Sequence, residues 1–265
     1  MDKQDINLNS ENENISLVKE KEVFIREAQS VGAGAAITWI GDAWRIFKEK
    51  PSRWILITFI YLIIFSILMY IPFVNLLLSL VNFILIAGIN AAAEKQRTTG
   101  DLRIGILFYG FKEKLGPLIA IGVFYVCIYA LSVGIAVLIG GDNMLNLLLF
   151  PQYVNILTYS LSVSMWWALF VFLILILITQ ASTYFAPALI IINNVRLSEA
   201  LLMSLKAVKK NLVGGFLFFV LMGVIIFISA LPLFLGLIIT FPMYIITYYT
   251  MYRSIFYLSE YPRAP

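Results

Sequence analysis

Side chains that could carry out catalysis are scarce in this sequence. It contains no His and a single Cys, Cys127, so neither a His-based nucleophile nor a zinc site built on His and Cys is available. The apolar stretches also lack the ionisable residues that proton-coupled transport requires. We therefore predict that the protein is not an enzyme and has no catalytic residue, cofactor or metal site. An enzyme is the last of the alternatives, and it would have to use acidic residues outside the apolar stretches. These residues are Asp42, Glu94, Asp101 and Glu199.

Two amide side chains, Asn82 and Gln180, lie deep within apolar stretches. The common role of such amides in membrane helices is an interhelical hydrogen bond, worth about 0.6–2 kcal/mol. We therefore predict polar contacts of Asn82 and Gln180 inside a helical bundle. The alternative is a polar path for a solute, which predicts a cavity lined by Asn82, Gln180 and a kink at Pro187.

Basic residues at the ends of the apolar stretches form a second set of candidates. Side chains in such positions meet anionic lipid headgroups, which also explains the net charge of +4 without nucleic acid. Structural anchoring of the helices is the alternative role. The candidates for headgroup contact are Lys48, Lys50, Arg53, Lys112, Lys114, Lys209 and Lys210.

Composition places these residues in a membrane protein. Hydrophobic residues make up 61% of the chain and charged residues 13%, against about 25% charged in a soluble domain. No charged residue lies in 54–93 or 211–252, and 115–195 holds only Asp142. Since about 20 apolar residues cross a bilayer, we predict an all-α, polytopic fold with six transmembrane helices in three hairpins. The predicted spans are 54–70, 73–93, 117–140, 165–186, 212–231 and 233–252.

The positive charges predict the orientation of this bundle. All 19 Lys and Arg residues lie in segments 1–53, 94–114, 196–210 and 253–265, which three hairpins bring to one side. The positive-inside bias then places both termini in the cytoplasm. The polar segment 1–30 has no apolar run typical of a signal peptide and is predicted to be a disordered cytoplasmic tail, and 258–265 is predicted to be a short cytoplasmic tail.

An amphipathic helix is predicted before each hairpin, in three copies of one unit. These interfacial helices cover 35–50, 102–114 and 197–210. The outer turns carry Pro72, Pro151 and Pro232, and the middle loop is predicted to contain a short helix over 144–150.

Tryptophans and small residues predict the contacts of these helices. The five tryptophans lie near predicted interfaces, where such rings anchor membrane helices. They are Trp39, Trp44, Trp54, Trp166 and Trp167. Small residues four apart, such as Gly88 with Ala92 and Ala130 with Gly134, predict close helix approach.

Several local sequences resemble an uncharacterised family of bacterial inner-membrane proteins. The matching pieces are 40–47 with Pro51 and Trp54, 185–189, 200–204 with Asn211, and 252–256. The likeness covers about 33–257, and the architecture is similar to the membrane domain fused to some glycerophosphodiester phosphodiesterases. The resemblance implies a helical inner-membrane fold without an established activity, and therefore no site residues.

Together these observations predict a non-enzymatic bacterial inner-membrane protein. We expect it to bind anionic lipid of the phospholipid membrane and a membrane protein partner, as a scaffold or accessory subunit, and not to bind nucleic acid. The alternative is a transporter or permease component for an uncharged or amphiphilic, lipid-like solute.

Overall fold

The computed structural model describes residues 22–70, 75–149 and 162–259. This part of the chain is all-α, as predicted, apart from one two-stranded antiparallel sheet. Its elements are β1 (Glu22–Phe24), α1 (Ala35–Glu49), α2 (Pro51–Tyr70), α3 (Asn75–Thr99), a 3₁₀ helix (Ile104–Phe108), α4 (Tyr109–Glu113), α5 (Leu115–Gly140), α6 (Asp142–Leu149), α7 (Val163–Thr183), α8 (Ala186–Asn193), α9 (Leu197–Lys210), α10 (Leu212–Ala230), α11 (Leu237–Phe256) and β2 (Tyr257–Ser259). The predicted tail over 1–21, the turn residues Pro72 and Pro151, and 260–265 lie outside the described residues.

Long apolar helices identify a multi-pass membrane protein. Within the described ranges, five helical stretches are long and apolar enough to cross a bilayer. They are Pro51–Met69, Leu78–Thr99, Leu115–Gly140, Val163–Asn193 and Leu212–Ala230. In the most apolar 18 residues of α2, and likewise of α10, only 17% are buried inside the protein. Most of this apolar surface therefore needs lipid around it.

The sixth predicted span corresponds to α11, which is not among these five stretches because its mean hydropathy is too low. It packs against α1, α2, α3 and α10, and most of its side chains are buried. A helix surrounded by other helices does not need an apolar surface, so α11 carries buried polar residues such as Thr247 and Thr250. It also begins at Leu237 and not at 233, because positive φ angles at Leu233 and Phe234 keep the chain in turns after Pro232.

The amphipathic segments differ in regularity. Helices α1 and α9 have nearly the bounds predicted for 35–50 and 197–210. The segment 102–114, however, is divided into the 3₁₀ helix and α4, which lie against α3. The approach is close because glycines meet backbone there: a Cβ at Gly110 would lie 2.9 Å from the carbonyl oxygen of Ile84. The prediction of a single helix over 102–114 is therefore wrong.

Two predicted spans end at different residues in the structure. Helix α3 continues past 93 to Thr99, because Glu94 and Arg97 pair with each other and do not end the helix. The span predicted over 165–186 is interrupted: α7 ends at Thr183, and α8 starts at Ala186 with Pro187 in its first turn.

Ser204 of α9 bridges the break between α7 and α8. Its hydroxyl donates to the carbonyl oxygen of Ala181 at 2.6 Å and accepts from the Phe185 amide at 2.9 Å. The Ser204 side chain is fully buried. Backbone groups that the proline break leaves without helical partners are thus satisfied from a neighbouring helix.

Replacing Ser204 with Ala is expected to lower the free energy of unfolding by about 1–3 kcal/mol, since both backbone groups lose a buried partner. The matched control is Ser182→Ala, because among the described residues the buried Ser182 hydroxyl bonds only the carbonyl oxygen of Ile178, in its own helix. Thermal unfolding in mild detergent measures both variants. Equal stability of S204A and S182A would contradict a bridging role.

Residues 22–30, predicted to belong to a disordered tail, are folded against the rest of the chain. Strand β1 pairs with β2, with Glu22 opposite Ser259, which likewise orders the start of the short tail predicted over 258–265. Downstream, Asn211 accepts from the Val31 amide and donates to the carbonyl oxygen of Gln29, both at 2.9 Å. These contacts span most of the chain, so local composition does not reveal them.

Two of the five tryptophans are core residues, so their prediction as interfacial anchors is wrong. Trp39 and Trp54 are buried, whereas the other three are exposed. The Trp54 indole donates to Gln96 Oε1 at 2.8 Å, and Gln96 donates to the carbonyl oxygen of Ile46 at 2.9 Å. A buried amide thus supplies the partner that an interfacial indole finds in water.

Candidate functional site

A cavity of about 520 Å³ lies between the helices, and we call it the bundle cavity. Helices α2, α3, α5, α7 and α11 contribute its lining, together with Tyr184 and with Pro187 of α8. The volume is within the range of small-molecule sites. Its polar lining residues are Ser79, Asn82, Gln180 and Thr183, and its aromatic lining residues are Phe65, Phe83, Tyr125, Tyr129, Tyr184 and Tyr248.

The structure brings Asn82, Gln180 and Pro187 together around this one cavity. Both amides also make interhelical hydrogen bonds. The Tyr61 hydroxyl donates to Asn82 Oδ1 at 2.8 Å, which joins α2 to α3. Gln180 Nε2 donates to the Tyr125 hydroxyl at 3.3 Å, which joins α7 to α5. The two roles considered for these amides therefore coexist.

Each amide keeps one polar group unused by the described residues. Asn82 engages only its oxygen, so the two N–H groups of Nδ2 are available to a ligand. Gln180 engages only its nitrogen, so Oε1 is available as an acceptor. The bundle cavity thus offers a donor from α3 and an acceptor from α7.

Aromatic rings pack against each other in the lining of the bundle cavity. Tyr184 stacks on Tyr248 with ring centroids 5.0 Å apart, and Phe83 meets Tyr125 edge-to-face at 5.8 Å. Such pairs add about 0.5–1.5 kcal/mol beyond the area they bury. No Asp, Glu, Lys or Arg belongs to the described lining. The lining can therefore bind neutral polar groups and apolar surface, but it offers no charge for an ion.

A smaller cavity of about 250 Å³ adjoins the bundle cavity. The two share four lining residues: Phe65, Asn82, Ile86 and Tyr248. Tyr244 lines the smaller cavity, and its hydroxyl lies 3.5 Å from that of Tyr248.

Sequence reasoning missed the tyrosines of the lining. Tyr125, Tyr129, Tyr184 and Tyr248 each lie within an otherwise apolar helical stretch, where a phenolic hydroxyl needs a partner. The signal that could have identified them is a phenol inside a long stretch without charge, as for Tyr125 and Tyr129 in 115–140, and Tyr184 close to the break before Pro187.

The seven predicted headgroup residues have three kinds of surroundings. Three are engaged by the protein itself: Lys50 donates to the carbonyl oxygen of Gly100, Arg53 to that of Leu102, and Lys210 to Glu27 Oε1 at 3.0 Å. Lys114 is half-buried. The remaining three, Lys48, Lys112 and Lys209, are exposed and have no partner among the described residues.

A partly buried ionic cluster was not predicted. Arg253, whose side chain is only 10% exposed, pairs with Glu22 and lies 3.7 Å from Glu94 Oε2. Arg97 contacts the same two carboxylates at 3.0 and 2.9 Å. The Arg253 guanidinium also stacks over Tyr257, 3.4 Å from the ring centroid. This ionic cluster ties β1 to α3 and α11.

These features define a multi-pass helical membrane protein with a neutral, aromatic-lined cavity. Comparison of the chain with protein-family models, curated proteins and solved structures finds no match. The resemblance to uncharacterised bacterial inner-membrane proteins, the membrane partner and the non-enzymatic role therefore stay predictions.

Proposed function

We propose that this protein is a non-enzymatic inner-membrane protein that binds an uncharged, lipid-like solute in the bundle cavity, as a transporter or permease component. The observation that carries the proposal is the meeting of Asn82, Gln180 and Pro187 around one neutral cavity. Charged solutes are disfavoured because the described lining provides no counter-charge.

The ligand chemistry follows from the two amides. The Asn82 N–H groups suit a carbonyl or ester oxygen, and Gln180 Oε1 suits a hydroxyl. The surrounding phenyl and phenol rings suit hydrocarbon. Diacylglycerol combines a free hydroxyl, ester carbonyls and acyl chains without a charge, and it is therefore the probe of choice.

The proposed topology has six spans in three hairpins, with α11 as the sixth span. Ion pairs between distant segments support one charged end: Arg26 with Glu199, Arg97 with Glu22, and Arg53 with Asp101 at 3.7 Å. We propose that this end faces the cytoplasm, following the positive-inside bias.

Replacing both amides, Asn82→Leu with Gln180→Leu, is expected to weaken diacylglycerol binding about tenfold or more. The reason is the loss of two hydrogen bonds, each worth about 0.5–1.5 kcal/mol. Binding of a fluorescent diacylglycerol to the full chain in mild detergent measures the effect. Movement of the same lipid between leaflets of proteoliposomes measures transport.

The matched control is Ser132→Ala with Thr179→Val. Ser132 lies in α5 and Thr179 in α7, and within the described part of the chain each hydroxyl bonds only to its own helix. Neither residue belongs to the described lining of the bundle cavity. This control is expected to bind diacylglycerol like the wild type. Equal affinity of the amide variant and the control, with both proteins folded, would contradict the proposal.

A second function, contact with anionic lipid, is favoured by the exposure of Lys48, Lys112 and Lys209. Exposed ammonium groups close to a membrane surface attract anionic headgroups by about 1 kcal/mol each, an attraction that salt weakens. We propose that Lys48 and Lys112 hold the charged end of the bundle at the membrane surface without forming a defined site, whereas Lys209 lines a groove that is described below.

A further inference from the structure

A groove separates α9 from residues 26–28, which follow β1, and we call it the α9 groove. Its volume is about 930 Å³, comparable to that of a ligand site. It lies apart from the bundle cavity and shares no lining residue with it. No sequence pattern brings residues 26–28 next to α9, so only the fold creates this groove.

The α9 groove is positively charged. Four bases and two acids line it, and both acids are already paired within the protein. Glu199 pairs with Arg26, and Glu27 accepts from Lys210 at 3.0 Å. Lys206 and Lys209 are exposed and lack an acidic partner in the described chain. Two ammonium groups are thus available to an anion.

The positive charge of the α9 groove also lowers the pKa of Glu27. A hydrogen bond from Lys210 and the charge of Lys210 lower this pKa, and the charge of Lys206 lowers it further. A carboxylate at the rim of the α9 groove therefore experiences the lysines as a shared positive potential.

An apolar residue lies beside the lysines on the same helix. Leu202 is 59% exposed and lines the α9 groove one turn before Lys206. Met203 lines the groove next to it. A small inorganic anion bound to the lysines would leave the Leu202 side chain in water. An anionic lipid would also cover Leu202 with its acyl chain.

We propose that the α9 groove binds an anionic phospholipid, with Lys206 and Lys209 on the phosphate oxygens and Leu202 against the first carbons of an acyl chain. Ammonium groups and phosphate oxygens form charge-assisted hydrogen bonds, the stronger class of such bonds. This inference rests on the proposed position of the charged end at the membrane surface, and it does not involve the bundle cavity.

Native mass spectrometry of the full chain with phosphatidylglycerol tests the proposal. Lys206→Gln with Lys209→Gln is expected to lower phosphatidylglycerol binding about tenfold. The control, Lys48→Gln with Lys112→Gln, removes the same charge from exposed positions outside the groove and is expected to change binding less than about twofold. Equal losses in the two double variants would overturn the proposal, because they would reveal only general attraction to a basic surface.

Two further arms identify the ligand. Leu202→Gln is expected to weaken phosphatidylglycerol binding several-fold, and millimolar inorganic phosphate is expected not to displace the lipid. Displacement by phosphate, with L202Q binding like the wild type, would overturn the lipid assignment. The lysine variant is expected to bind diacylglycerol normally, so failure in the α9 groove and failure in the bundle cavity give different results.

Discussion

Replacing Arg253 with Met is expected to lower the free energy of unfolding by about 3 kcal/mol. Arg253 lies at the centre of the ionic cluster, nearly buried, and faces the carboxylates of Glu22 and Glu94. Without it, Arg97 is left to neutralise both carboxylates, one of them in β1 and one in α3. Thermal unfolding in mild detergent should show a fall in Tm of about 5–10 °C.

Arg45→Met is the matched control for this variant. Arg45 pairs with Asp42 three residues earlier on α1, and its side chain is 65% exposed. Exposed pairs of this kind contribute about 0–1 kcal/mol, so the control should unfold close to the wild-type temperature. Similar shifts for R253M and R45M would mean that the ionic cluster adds no more than a surface pair does.

Replacing Gly88 with Ala is expected to destabilise the protein by about 1–3 kcal/mol, because the added methyl group overpacks a backbone contact. A Cβ at Gly88 would overlap the carbonyl oxygen of Leu107, in the 3₁₀ helix that packs on α3. Backbone cannot rotate away as a flexible side chain can, so the helices must separate. The expected fall in Tm is several degrees.

Gly134→Ala in α5 tests whether the effect depends on that contact. A Cβ at Gly134 would meet no atom within 4 Å, although Gly134, like Gly88, belongs to a pair of small residues four apart. Since Ala favours helix more than Gly does, G134A should be neutral or slightly more stable. A destabilised G134A with an unchanged G88A would contradict the packing of α3 on the 3₁₀ helix.

The positions of most helices were predictable because charge is excluded from the bilayer interior. Absence of charge over 54–93 and 211–252 predicts α2, much of α3, and α10 within a few residues. The same reasoning singled out Asn82 and Gln180, since an amide in an apolar stretch needs a partner. Pro187 was a predictable break because proline cannot donate to the preceding turn.

The contacts of individual residues were much less predictable than the positions of the helices along the chain. A tryptophan near a helix end has the same local sequence whether it faces lipid or core, so Trp54 and Trp166 looked alike although only Trp54 is buried. Gly88 and Gly134 likewise share a spacing but not an environment. The order of residues 22–30 depends on Asn211 and on β2, which lie far along the chain.

The sequence by itself determined that this chain is helical and membrane-embedded, and where its charges can lie, because lipid tolerates neither unpaired backbone nor unpaired charge. Only the tertiary structure decided which polar groups meet. It brought Asn82 of α3 and Gln180 of α7 to one cavity, and Arg26 and Lys206 to one groove. The physical reason is that hydropathy is a property of each residue alone, whereas a site is a property of contacts between residues distant in sequence.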